Sequence, residues 1–373
     1  MVVFVVSALV VIALVAVGLT SCQALLVSVM LAFGVDKDYY IKDRQWLDER
    51  LATWDQQRRA ASSDRSLAFG VASTIMIGQV GDLMGDATDI HSYGIADKML
   101  DVFQELPIDV LRVGGLDDSW QVGRREEVDL ADRLIAKVRR AGWKLFITDT
   151  QHSAHLFSNP VTWEEFQHIH LRRIEFLARR YRPQYYAVVT EASTYHNFGV
   201  KGSMNVDRWV EQTRRALAVV RRVDPGIRTA VVIGPENEAE QAFYRKLLQV
   251  PDLDIIALEI YYPHEFPILD RLLSDHPHKY GKQLWVGESW SGMPTPYTNV
   301  PDKEEEDEKW VKLITYYALT HSFDGVMYWP FQYFVTYKRF QEGNGSIDYS
   351  KRTRPFRAYR ELIRELKAGK AAR

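Results

Sequence analysis

From Leu67 onward, short apolar runs alternate with long amphipathic stretches. The runs at 68–75, 109–114, 143–149, 185–190, 229–234, 254–261, 283–288 and 324–329 read as eight strands. They are apolar almost throughout, as expected of parallel strands covered on both faces. The stretches between them carry helical spacing. Residues 127–140 place Val128, Leu130, Ala131, Leu134, Ile135 and Val138 on one side. Residues 162–181 do the same through Phe166, Ile169, Ile174, Phe176 and Leu177, and 205–222, 303–321 and 355–367 follow. Pro183 and Pro225-Gly226 punctuate helix ends. Eight strands, each followed by a helix, in about 300 residues is the arithmetic of a (β/α)8 barrel. A doubly wound open sheet fits less well, because no GxGxxG turn follows the first strand.

The N-terminal part has a different pattern. Tyr40, Trp46, Leu47, Leu51 and Trp54 give residues 36–66 the spacing of a helix or stalk lying against the domain. Before them, the first charged residue of the chain is Asp36, so an uncharged run of 35 residues exceeds what a spanning helix needs. The expected organisation is a membrane helix within 1–35, a helical stalk or linker at 36–66, and a barrel at 67–373. A cleavable signal peptide is one rival, although the segment lacks the usual basic start. Leu19-Thr20-Ser21-Cys22 also resembles a lipoprotein cleavage box that would lipidate Cys22, but the residues after Cys22 are mostly apolar. Lys37, Lys42 and Arg44 favour a cytoplasmic C-terminal side by the positive-inside rule, whereas the function argued below favours an extracytoplasmic one.

Composition narrows the classes. The 373 residues include 47 Lys and Arg against 49 Asp and Glu, a net charge of −2, which argues against nucleic acid as a partner. The lone cysteine, Cys22, excludes an intrachain disulfide framework and a Cys-rich zinc site. His168 and His170 are two apart on a helix and do not share a face, and His276 and His278 sit in a turn, so no metal is expected. The acidic run at 302–308 reads as the solvated first turn of a helix.

Active residues of a (β/α)8 barrel sit at the C-terminal ends of its strands. There the second strand carries Arg112, the third Asp149 and then His152, and the fourth Glu191. The sixth ends in Tyr261-Tyr262-Pro263, the seventh in Glu288 and the eighth in Trp329. Two carboxylates at strands four and seven face each other across the mouth. Glycosidic hydrolysis needs such a pair, one protonated and one ionised. The negative charge of one helps keep the other protonated. Arg112 and a strand-six tyrosine are suited to hold Glu288 ionised. Tyr195, Trp290, Trp329 and Phe331 offer flat faces for sugar rings. Glu259 reads as lying inside strand six, and Glu236 and Glu238, which follow strand five, read as ion-pair residues rather than rim or subsite ones.

These pieces resemble the clan A glycoside hydrolases, retaining (β/α)8 enzymes that include cellulases, mannanases and endo-galactanases. The resemblance spans residue 67 to about 365. It rests on Leu111-Arg112-Val113, Asp149 with His152, Glu191 after a β-branched run, 254–256 through Tyr261-Tyr262-Pro263, Val286-Gly287-Glu288-Ser289-Trp290, and Tyr328-Trp329. The strand-six piece looks most like the galactanase branch. The resemblance implies Glu288 as nucleophile and Glu191 as general acid/base. Arg112, His152 and Tyr261 or Tyr262 would orient them, Trp329 would form the sugar platform, and no cofactor would be needed. One position departs from the pattern. Where the clan usually has Asn before the acid/base, binding the sugar 2-hydroxyl, this chain has Thr190. The expected function is retaining hydrolysis of a β-linked oligo- or polysaccharide, by a membrane-anchored protein with an extracytoplasmic barrel. The alternative from another class is a glycan-binding barrel without turnover, which Thr190 favours. A phosphate-ester reaction would need a phosphate-binding loop after strand seven or eight. The bulky 289–292 and 329–331 loops do not look like one.

Overall fold

A computed structural model describes residues 37–60, 66–73, 97–114, 116, 125–149, 161–193, 200–201, 205–291, 300–329 and 350–371. Eight parallel strands close into a barrel in chain order: β1 Ala68–Ser73, β2 Val110–Val113, β3 Lys144–Thr148, β4 Tyr185–Thr190, β5 Arg228–Ile233, β6 Ile255–Ile260, β7 Gln283–Ser289 and β8 Gly325–Tyr328. β8 returns to pair with β1, matching Ala68 with Gly325 and Val71 with Tyr328. Among the described residues, seven helices follow the strands after β1: α2 Arg125–Arg140, α3 Trp163–Tyr181, α4 Val206–Val223, α5 Glu238–Leu247, α6 Phe266–Leu273, α7 Val300–Thr320 and α8 Arg354–Ala371. A helical segment at 97–103 lies between β1 and β2.

The core divides into two shells, as expected when a closed sheet is wrapped by helices. Inside the barrel, Ala72, Val110, Phe146, Tyr185, Ala187, Ala230, Val232, Ile255, Ala257, Trp285 and Met327 pack together. A Cβ at Gly325 would fall 2.5 Å from the Trp285 ring, so that strand passes the indole only as glycine. Outside, the other faces of the same strands meet the helices. Helix starts are set by side-chain caps. Thr162 and Glu165 form a reciprocal capping box on α3, and Asn205 and Asn237 cap α4 and α5.

The stalk expected at 36–66 contains one helix, α1 Lys37–Ala60, which lies on the barrel wall. Trp54 is buried, its ring 5.1 Å from Phe266 of α6 and 4.9 Å from Tyr317 of α7. The membrane helix expected within 1–35 lies outside the described residues. Among the described residues, no helix is long and apolar enough to cross a membrane.

The acidic run at 302–308 departs from expectation. α7 begins at Val300, which puts Glu306 and Asp307 beyond its first turn, where both are fully buried. Glu306 accepts a hydrogen bond from Ser291 Oγ at 3.0 Å, and Glu308 accepts from Arg354 Nε at 2.8 Å. Part of the run therefore packs the α7 face and ties it to α8 instead of facing water.

Candidate active site

Arg112 is the hub of the barrel mouth. It points inward from β2, buried, and its nitrogens fan out over four residues. Nε donates to Thr148 Oγ1 of β3 at 2.6 Å. Nη1 donates to the Gly287 carbonyl at 2.8 Å and to Glu288 Oε2 at 3.2 Å. Nη2 lies 3.7 Å from Glu259 Oε1. A guanidinium suits this position because it presents several donors in a rigid fork and stays charged.

Glu288 owes its direction to an irregularity. Simple alternation from Trp285, which faces inward, would turn Glu288 toward the helices. The β6–β7 ladder instead shifts register, matching Leu258 with Val286 and then Glu259 with Glu288. The extra residue is Gly287, whose Cβ would fall 2.9 Å from that of Ala257. The bulge brings Glu288 onto the inner face beside Glu259. Tyr261 Oη donates to Glu288 Oε1 at 2.8 Å, so both carboxylate oxygens are held. Burial pushes the Glu288 carboxyl up to about 7; Arg112 and the Tyr261 hydroxyl oppose that rise, and the Glu191 charge adds to it. Burial and the surrounding glutamates also keep the Tyr261 hydroxyl well above its usual range, so it remains a donor.

Glu191 follows β4 with its backbone in the left-handed region, φ 47°, while its N–H still donates to the Val232 carbonyl at 3.0 Å. That conformation costs a non-glycine residue about 1 kcal/mol or more. A second register shift, between Ala187 and Val189, precedes it. The side chain is half-buried, and its charge acts on both Glu288 and Glu259. Thr190 is buried, and its Oγ1 has no hydrogen-bond partner among the described residues.

Sequence reasoning missed a ring of buried acids. Glu259, placed inside strand six, is the last inward residue of the Ile255, Ala257, Glu259 series and opens onto the same mouth. Burial, then the charges of Glu191 and Glu288, raise its carboxyl well above the usual range. Glu265 accepts from the backbone N–H of Tyr261 at 2.5 Å and of Tyr262 at 2.8 Å, fixing the turn that aims the Tyr261 hydroxyl. Burial pushes it up to about 8. Glu240, on α5, accepts from Ser193 N at 2.5 Å; burial pushes it up to about 7. The sequence offered only one signal, an acid within an otherwise apolar strand at Glu259, and none for Glu265 or Glu240.

The remaining sequence-derived candidates fall in different places. Trp290 is half-buried with its ring 5.5 Å from Tyr261, and Tyr262 stacks on His264 at 5.2 Å. His264 in turn lies 3.7 Å from Glu236, which is exposed. Trp329 is half-buried at the end of β8, its N–H donating to the Ser289 carbonyl at 3.1 Å. His152, Tyr195 and Phe331 lie outside the described residues. Asp149 does not join the mouth. It is fully buried, with Oδ1 and Oδ2 accepting from Arg173 at 2.6 and 2.8 Å and with His170 Nε2 at 2.6 Å from Oδ2. Its direction is set by these α3 side chains, so Asp149, expected among the substrate-binding or orienting residues at the mouth, is held behind β3 instead. Among the described residues, no three His, Cys, Asp or Glu side chains are arranged to hold a metal ion.

No protein-family model matches the chain, and no curated protein matches it in sequence. Solved structures do match in shape. A family 1 β-glucosidase from Thermotoga maritima superposes with a TM-score of 0.56 at 12% identity, covering 82% of this chain and 99% of that one. Virulence factor SghA from Agrobacterium tumefaciens superposes with a TM-score of 0.50 at 13% identity, covering 70% and 87%. SghA in complex with its substrate analog salicin gives 0.52 at 13% identity, covering 70% and 86%. At these identities the likeness carries the fold: this chain has the (β/α)8 barrel of those structures, the fold implied by the clan A resemblance of its strand ends.

Proposed function

We propose that the protein is a retaining glycoside hydrolase acting on a β-linked oligo- or polysaccharide. The observation that carries this reading is the Glu288 carboxylate, held on one oxygen by Arg112 and on the other by Tyr261, within the field of Glu191. A nucleophile needs that support. Arg112 and the tyrosine stabilise its ionised form and fix its lone pairs, while burial removes competing water. Glu191, half-buried and open to the mouth, serves as acid and then as base. In the first half-reaction Glu191 gives its proton to the glycosidic oxygen as Glu288 bonds to the anomeric carbon. In the second, water attacks that carbon, its proton passes to Glu191, and Glu288 leaves as carboxylate. Trp290 and Trp329 supply apolar faces for sugar rings, with Tyr262 beside them. Thr190, whose hydroxyl has no partner among the described residues, takes the place from which the 2-hydroxyl is contacted. No cofactor enters the scheme. The β-glucosidases among the structural neighbours support a β-glycoside as substrate.

The test is a panel of aryl and oligosaccharide β-glycosides with the full-length chain. E288A should lose several orders of magnitude of turnover on every substrate. E191A should lose far more on sugar leaving groups than on activated aryl ones, and azide should rescue it with retained configuration. Near wild-type turnover in both variants would overturn the assignment. Glycan binding without turnover by the wild type would favour the binding barrel, for which the shorter Thr190 speaks.

The uncharged segment 1–35 supports membrane attachment, and a polysaccharide substrate favours a barrel outside the cytoplasm, against the pull of Lys37, Lys42 and Arg44. The full chain should then sediment with membranes, resist carbonate extraction and be digested by protease added to intact cells. Protection of the barrel from that protease would reverse the orientation.

A further inference from the structure

Glu259 has no part in a two-carboxylate mechanism, yet it stands at the centre of the site. It is directly opposite Glu288 in the β6–β7 ladder and only 1% exposed. Neighbouring strands run about 4.8 Å apart, so two inward carboxyls at one register position cannot both ionise cheaply. Arg112 does not resolve the conflict. Its Nε is spent on Thr148 and its Nη1 on Gly287 and Glu288, leaving one Nη2 at 3.7 Å from Glu259 Oε1. The other oxygen, Oε2, is buried and meets no donor among the described residues. A buried carboxylate oxygen without a donor is expensive. The cost disappears if the carboxyl is protonated and acts as a donor itself, and an acceptor is at hand, since the Glu259 and Glu191 carboxyls are within hydrogen-bond reach of each other.

We infer that Glu259 is a third, permanently protonated carboxyl of the site, a positioning residue that donates a hydrogen bond to Glu191 and thereby steadies the acid/base in its ionised form. The charge count agrees. One guanidinium among three carboxyls balances when a single carboxylate is ionised, and Glu288 holds the two best donors. The inference rests on the glycosidase reading for its consequence. When Glu191 has passed its proton to the departing oxygen, the new carboxylate receives the Glu259 O–H bond. When water attacks the glycosyl-enzyme, Glu191 takes the proton from water, and Glu259 keeps its own throughout. Burial, the Glu191 and Glu288 charges and the shared hydrogen bond all hold the proton on Glu259, against the weaker pull of Arg112.

The experiment has two arms, both on the full-length chain. Infrared difference spectra of wild type against Glu259→Gln at pH 7 read the proton directly. The wild type should show a protonated carboxyl C=O band that the Gln variant lacks. Only carboxylate bands in the difference would overturn the inference. The second arm is the pH dependence of kcat/KM, whose alkaline limb reports the acid. In Glu259→Leu the ionised Glu191 loses a charge-assisted bond, and the limb should move up by about one pH unit. In Glu259→Gln the amide N–H replaces the O–H donor, and the limb should return toward the wild-type position. A merely space-filling Glu259 would leave the limb in place in both variants, and that result would also overturn the inference. If the Leu variant does not fold, Glu259→Met takes its place. If no glycoside is turned over, the infrared arm still decides whether Glu259 holds a proton, while its service to Glu191 falls with the glycosidase reading.

Discussion

Two buried carboxyls, Asp149 behind β3 and Glu259 at the mouth, are equally removed from water and end in opposite states. Burial alone would raise both. At Asp149 the bidentate Arg173 guanidinium and His170 more than reverse it, and the carboxyl lies below its usual range. At Glu259 the only cation among the described residues is Arg112, which offers one nitrogen at 3.7 Å, and two neighbouring glutamates add to the effect of burial. The difference is one of partner geometry rather than depth. A dedicated, two-point partner fixes a charge, whereas a partner divided among four neighbours leaves the proton in place. The first arrangement makes scaffold, and the second keeps a neutral donor beside the groups that react.

This contrast gives a large test and a smaller one. Asp149→Ala leaves the Arg173 guanidinium buried without its counter-charge, which costs about 3–5 kcal/mol, read from denaturant unfolding. Glu259→Gln replaces a neutral acid with a neutral amide of similar shape and should cost far less. Equal losses at the two positions would break the comparison. The smaller effect concerns pH. Asp149 is depressed in the folded state, so its contribution is present above the unfolded value and is lost as pH falls through the folded one. Glu240, at about 7 when folded, has the opposite sign. Its contribution is complete below the unfolded value near 4.5 and is lost as pH rises toward 7. Thermal stability of the wild type should therefore decline across that interval, and Glu240→Gln should make the decline shallower without altering the acid side, Glu265 and Glu288 carrying the remainder.

The strands were legible because both faces of each are covered, by barrel contents within and helices without, so each reads as an apolar run. The same property hid the site's detail. In β6, Ile255, Ile256, Ala257 and Leu258 are all buried, so nothing in the pattern says which residues face in. An inward Glu259 then looks like any strand residue. The bulge at Gly287 that re-aims Glu288 is equally silent, since a register shift belongs to the pairing of two strands and not to either alone. Asp149 misled for a related reason. At a strand end it resembles a site residue, and the Arg173 that claims it lies 24 positions away on α3. α6 escaped because eight residues opened by Phe266-Pro267 are too few to show a period.

The left-handed backbone at Glu191 carries a cost that the fold does not require. Glycine would take that conformation without penalty, so Glu191→Gly should relieve about 1 kcal/mol of strain while removing the group proposed as acid/base. At that one position thermal robustness and catalysis would then pull in opposite directions. A search for hardier variants run without an activity screen would be drawn toward an inert barrel.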